Sequence, residues 1–132
     1  MSEKEFKIEK KVKTSKFLFI DDSGTMLDSL RNYFSDQIDV AFAECHSVKE
    51  AFGAIAKYQP EVIFLDHSLT EYGDEGLEIV DQVKGLKIYS TTTNSSVMPE
   101  YQKRGIENVG KGNLGKLESI IKGGQKIIKS SK

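Results

Sequence analysis

Apolar residues recur along this chain in two alternating rhythms. Short unbroken runs, Phe17-Leu18-Phe19-Ile20 and Val62-Ile63-Phe64-Leu65, read as strands buried on both faces, as in parallel sheets. Between such runs the apolar positions switch to helical spacing. Met26, Leu27, Leu30 and Phe34 share one face of a first helix, which Ser23 or Thr25 can cap. Val40 to Cys45 reads as a second strand. Ser47-Val48-Lys49-Glu50 fits a capping box and opens a helix with Val48, Ala51, Phe52 and Ile55 inward and Pro60 as its stop. The third strand ends at Asp66. A loop over His67 to Glu75 follows, then a helix from about Gly76 to Lys84 with Gly85 as its C-cap. Leu86 to Thr91 forms a fourth strand, and Pro99 suits the first turn of a short helix ended by Gly105. Ile106 to Lys111 is the fifth strand. The last helix begins near Asn113, turns Leu114, Leu117, Ile120 and Ile121 inward, and is expected to end or weaken at Gly123-Gly124.

Five strand–helix alternations imply a parallel sheet covered on both faces and joined by right-handed crossovers. The 132 residues fit one domain, and 38% hydrophobic residues suffice for one core. We divide the chain into a charged N-terminal arm (1–15), a folded domain (16–122) and a basic C-terminal tail (123–132). A formal charge of −1 does not give the field of a nucleic-acid binder. No apolar stretch approaches the roughly 20 residues that span a bilayer. Residues 1–13 lack the apolar centre of a signal peptide. Cys45 is the single cysteine; it reads as a small buried side chain, and a cytoplasmic location is the simplest expectation.

Candidate chemistry lies at the strand ends. In open α/β sheets, ligands bind beyond the carboxyl ends of the strands. The first strand ends in Asp21-Asp22, the third in Asp66, the fourth in the hydroxyls of Ser90 and Thr91, and the fifth in Lys111. Singly, each has a plain structural role: an aspartate pair caps a helix, Asp66 turns a chain, Lys111 is solvated. Together, at successive strand ends, they point to one site.

The order and spacing of these residues resemble the receiver domain of two-component response regulators, over about Lys16 to Ile121. The resemblance implies a flavodoxin-like doubly wound sheet, order 2-1-3-4-5, with five helices. It implies that Asp66 is the phosphoacceptor and that Mg2+ (or Mn2+) is held by Asp22 and Asp66 directly, by Asp21 partly through water, and by the Ser68 carbonyl. Lys111 would pair with the phosphoryl oxygens, and the Thr91 hydroxyl would lie beside them. Thr91 is chosen by alignment, because a one-residue slip would turn a neighbouring hydroxyl inward. Implied partners are a histidine kinase or phosphotransfer protein and a downstream protein meeting the fourth helix, fifth strand and fifth helix. Neither nucleic acid nor a membrane is expected as a partner.

The chain departs from the family pattern in several places. Gly112 follows Lys111 where proline is usual. A non-proline cis bond costs about 2.5–4 kcal/mol, so a trans bond or an unusual loop is expected. Asn108 stands where the family carries its aromatic switch residue, and Thr92 where a small residue is usual. The Asp66 loop has Leu69-Thr70 in place of Met-Pro, and His67 reads as a loop histidine without a role. The catalytic set is intact while the switching apparatus is altered.

The leading reading is therefore a stand-alone receiver, since no output domain fits in the remaining residues. It would act through protein contact or phosphorelay, and would be no enzyme beyond its own aspartyl phosphorylation and dephosphorylation. A phosphorylation-independent binding module with the same fold is the alternative. Phe19 to Thr25 also resembles the DxDGT motif of haloacid-dehalogenase-type phosphatases, with Asp21 as nucleophile. Ser23 there replaces the acid–base aspartate, and Glu118 is the only acid after Lys111.

Overall fold

The computed structural model describes residues 15–71 and 73–130, with side chains to Gly123. The expected charged arm therefore lies, up to residue 14, outside the described residues. Five parallel strands, β1 (Phe17–Asp21), β2 (Val40–Glu44), β3 (Val62–Leu65), β4 (Lys87–Ser90) and β5 (Glu107–Asn108), form one sheet in the order β2-β1-β3-β4-β5. Five helices connect and follow them: α1 (Gly24–Tyr33), α2 (Val48–Tyr58), α3 (Glu75–Gln82), α4 (Met98–Lys103) and α5 (Leu114–Ser130). A short 3-10 turn, Ser95–Val97, precedes α4. This is the doubly wound, flavodoxin-like order that the resemblance implied, built on the parallel sheet expected from the alternation of periods.

Because successive strand side chains point to opposite faces, each unbroken apolar run feeds two cores. Phe17, Phe19 and Phe64 join Leu27 and Leu30 of α1 and Leu117 and Ile121 of α5. Leu18, Ile20, Ile63 and Leu65 join Ala51 of α2, Ile79 of α3 and Tyr101 of α4 on the other face. The first core is aromatic, with Phe19 and Phe64 rings stacked at 4.5 Å; the second is mainly aliphatic. Cys45 is buried, and burial pushes its thiol up to about 11, which suits an inert packing role.

Local signals resolve as physical chemistry directs. Ser23 is the cap of α1, its hydroxyl accepting from the Met26 amide at 3.1 Å. Ser47 accepts from the Glu50 amide at 3.0 Å, but Glu50 reaches back to the His46 amide, one residue earlier than in a capping box. Three expectations change. Gly85 is not the C-cap of α3; the helix ends at Gln82 with an extended Val83, and Gly85 turns the chain into β4 at φ +83°. β5 is only Glu107–Asn108, paired on one side with β4, although the Val109 amide continues the ladder to the Ser90 carbonyl at 2.7 Å. α5 runs on through Gly123-Gly124. Glycine costs a helix about 1 kcal/mol, a penalty a 17-residue helix can absorb.

Candidate functional site

β1 and β3 are neighbours in register, so their carboxyl ends emerge side by side. One carboxylate oxygen from each of Asp21, Asp22 and Asp66 lies within 4.8 Å of the others. The β5–α5 loop brings Lys111 to the same point. Its Nζ donates to Asp21 Oδ2 at 2.8 Å and lies 3.1 Å from Asp66 Oδ1. Asp21 Oδ1 accepts from the Ser23 amide at 2.9 Å, which ties the acidic pair to the start of α1. Asp21 and Asp66 are only 3% and 8% exposed, so these charges have left water.

Burial and the repulsion of Asp21 push the Asp66 carboxyl up to about 6, even with Lys111 beside it. Burial works against the Lys111 charge too, but its hydrogen bond to Asp21 and the attraction of both aspartates raise its pKa above the usual lysine value. One ammonium thus faces three carboxylates. This excess of hard, converging oxygen donors fits a small divalent cation. Oxygens around octahedral magnesium stand about 2.9–4.2 Å apart, so the three carboxylates reach such a geometry by small shifts.

Thr91 is buried, and its amide donates to the Leu65 carbonyl at 2.9 Å, placing it level with Asp66 in the sheet. The neighbouring hydroxyls are used locally: Ser90 Oγ accepts from the Thr92 amide at 3.3 Å and Thr92 Oγ1 from the Asn94 amide at 3.0 Å. Ser68 sits in the loop after Asp66, where its hydroxyl donates to the Gly73 carbonyl at 2.7 Å. No cis peptide bond occurs among the described residues, so Lys111–Gly112 is trans.

His67 requires a correction. Read from sequence as a loop histidine without a role, it is 3% exposed and fully engaged. Its Nδ1 lies 2.8 Å from the Tyr101 hydroxyl and its Nε2 lies 2.9 Å from Asp74 Oδ1. Asp74 stands at the N-cap of α3 but makes no capping bond; its carboxylate is spent on His67. The loop is held instead by Glu75, which accepts from the Leu69 amide at 3.0 Å and the Thr70 hydroxyl at 2.6 Å. Gly76 admits no side chain, since a Cβ there would meet the Tyr101 hydroxyl, with the Asp66 carbonyl and His67 Cα both at 2.8 Å. Nothing local in the sequence announces the His67–Tyr101 pair, whose members are 34 residues apart. Asn108, in β5, carries the one buried side-chain polar atom without a partner among the described residues, its Oδ1.

No protein-family model matches the chain. It is 35% identical over 66 residues to the transcriptional regulatory protein BtsR of Escherichia coli, a stretch covering 49% of this chain and 27% of BtsR. The chain thus spans about a quarter of the length of the curated relatives it matches. Among solved structures, the N-terminal domain of a Wolinella succinogenes protein superposes with a TM-score of 0.66 at 19% identity, over 90% of this chain and 99% of that one. The signal receiver domain of a Vibrio parahaemolyticus repressor protein superposes with a TM-score of 0.63 at 16% identity, over 90% and 98%. The chain has the fold of response-regulator receiver domains. Among the described residues, no helix is long and apolar enough to cross a membrane.

Proposed function

We propose that this chain is a phosphoryl-accepting receiver in a two-component pathway, with Asp66 as the acceptor. The observation that carries the reading is the meeting of Asp21, Asp22, Asp66 and Lys111 at the carboxyl ends of β1, β3 and β5. In this reading the donor is a phosphohistidine on a kinase or phosphotransfer protein. A carboxylate oxygen of Asp66 attacks phosphorus, the O–P bond forms, and the P–N bond breaks with its electron pair leaving on imidazole. Asp21, Asp22, Asp66 and the Ser68 carbonyl would hold Mg2+ or Mn2+, which when bound neutralises charge on the phosphoryl oxygens. Lys111 would move from its aspartates to a phosphoryl oxygen, and the Thr91 hydroxyl would donate to another. The chain would signal by presenting its α4–β5–α5 face to a protein partner in the cytoplasm rather than by turning over a substrate.

The geometry disfavours Asp21 as a phosphatase nucleophile. Both its oxygens are engaged, by the Ser23 amide and by Lys111. The test is incubation with Mg2+ and acetyl phosphate, followed by intact-mass measurement. Wild type is expected to gain one phosphoryl group, and Asp66→Asn none. Steady release of phosphate with equal rates in both proteins would overturn the assignment. A partner that binds both proteins equally in the presence of phosphodonor would favour the phosphorylation-independent module.

A further inference from the structure

We infer that His67 and Tyr101 form the link through which the state of Asp66 reaches α4. This inference rests on the receiver reading of Asp66. Its starting point is a pair of adjacent bonds. Asp66 Oδ1 accepts from the His67 amide at 3.0 Å while it also faces Lys111. The His67 ring then bridges the Tyr101 hydroxyl on α4 and Asp74 at the start of α3. The rings of His67 and Tyr101 meet edge to face at 5.7 Å.

The proton arrangement is set by the partners. An ionised Asp74 carboxylate only accepts, so His67 Nε2 carries the proton and donates to it. We assign the Tyr101 hydroxyl as the donor to Nδ1, 2.8 Å away. Burial, with the charges of Asp66 and Asp74, raises the Tyr101 pKa, so the phenol keeps the proton it donates. The chain of bonds runs Tyr101 to His67 to Asp74, with every member satisfied.

The link has no slack. Tyr101 is 1% exposed, and Gly76 leaves no room for a methyl group between the Asp66 carbonyl, His67 and Tyr101. Close-packed groups transmit a displacement instead of absorbing it. Phosphorylation turns one Asp66 oxygen into a bridging atom and moves negative charge outward onto three phosphoryl oxygens. Oδ1, which both the His67 amide and Lys111 face, then loses its negative charge, and both donors are drawn toward the phosphoryl oxygens. A shift of the His67 backbone carries its ring, and the ring is bonded to α4. From Tyr101 the chain leads directly to β5, since its carbonyl accepts from the Ile106 amide at 2.9 Å. Asn108 has no ring to move and ends in a buried, unpartnered oxygen.

Amide NMR with Mg2+ and beryllofluoride, which stands for the phosphoryl group on the carboxylate, tests this link. In wild type, shifts are expected around Asp66, Thr91 and Lys111 and across residues 98–103. In Tyr101→Phe the shifts around Asp66 should persist with unchanged saturation, while those over 98–103 fall at least threefold. His67→Leu, which removes the acceptor and leaves the hydroxyl, should reproduce that loss; His67→Gln, which keeps an acceptor, should restore more than half of it. A merely structural hydroxyl would lower thermal stability without changing the α4 response. Equal α4 shifts in wild type and both disruptive variants would overturn the link alone. Absence of any adduct in wild type would overturn the receiver reading on which it stands.

Discussion

Asp66 and His67 are joined by one peptide bond and serve two neighbourhoods of opposite character. Around Asp66, three carboxylates crowd one ammonium, and the Asp66 carboxyl is pushed up to about 6. Around His67, an imidazole ring, a phenol and the exposed Asp74 carboxylate at the start of α3 form a closed set of hydrogen bonds at the edge of the aliphatic core. The acid pocket is electrostatically incomplete and held together by the packing of β1 and β3. The link is complete and close-packed. Incomplete charge makes a pocket responsive to a cation or a phosphoryl group, whereas satisfied bonds make a connection that transmits what the pocket registers. Each region can be broken separately, and the size of each effect measures how far the contrast holds.

The largest effect is expected at Asp66. Asp66→Asn should lower phosphoryl uptake from acetyl phosphate by at least a thousandfold, about 4 kcal/mol in barrier terms. Radiolabel incorporation at matched Mg2+ checks it, and residual uptake within tenfold of wild type would remove Asp66 from its assigned place. Next is Lys111→Met, which strips the pocket of its one ammonium. Metal-free stability at pH 7 should fall on the order of 3 kcal/mol, because breaking a buried charge pair leaves the partner charges uncompensated. Urea melts should show most of that loss recovered on adding Mg2+. A loss indifferent to Mg2+ would mean that the lysine acts by packing and not by charge.

Gly76→Ala strikes where the two regions touch. Its Cβ would meet the Asp66 carbonyl and His67 Cα at 2.8 Å, so the loop or α4 must move. Overpacking of this kind costs about 2–3 kcal/mol. Thermal melts check the loss, and a neutral outcome would show that the link has the slack denied to it here.

The two regions also differ in what the chain pattern reveals. Acids directly after apolar runs are local signals, and neighbouring parallel strands bring their ends together whatever the loops do. Asp21, Asp22, Asp66 and Lys111 were therefore legible as a cluster, as was the sheet order through the resemblance. The His67–Tyr101 pair was not. A histidine in a loop and a tyrosine on a short helix acquire their meaning only from the approach of α3, α4 and β3, which no local period encodes. The short β5 and the uninterrupted α5 depart from the sequence pattern because their extents are not set locally either. The first pairs with β4 over two residues only, while helix length outweighed the glycine penalty in the second.

A smaller effect is expected from pH. The Asp66 pKa is higher in the folded protein than in the unfolded chain, so the folded state binds its proton more tightly. Metal-free stability should therefore be greatest below pH 4 as far as this group is concerned. It should decline as pH rises from about 4 to about 6, on the order of 1–2 kcal/mol after allowing for screening. Asp66→Asn should flatten that decline in urea melts across the window and leave the metal-free protein more stable at pH 7 than wild type. Saturating Mg2+, which favours the ionised carboxylate, should also suppress it. An unchanged slope in Asp66→Asn would assign the titration to another member of the pocket.

The smallest expected effect is the sharpest test of the contrast. Asp74 is 76% exposed at its side chain while the His67 ring it faces is nearly buried. If His67 is neutral, Asp74→Asn keeps an oxygen acceptor for Nε2–H, and stability should change by less than about 0.5 kcal/mol, the usual range for an exposed surface substitution. If the ring were an imidazolium, the same substitution would remove its counter-charge beside a buried cation, and the loss would rise to about 2 kcal/mol or more. Chemical denaturation at pH 7.5 separates the two, and the 15N shifts of the His67 ring report the tautomer directly. A small loss together with an unprotonated Nδ1 keeps charge on the Asp66 side of the peptide bond and neutral bonds on the His67 side. A large loss would make the link a second ionic site, and its response to Asp66 would then have to be read as electrostatic instead of as motion passed from ring to helix.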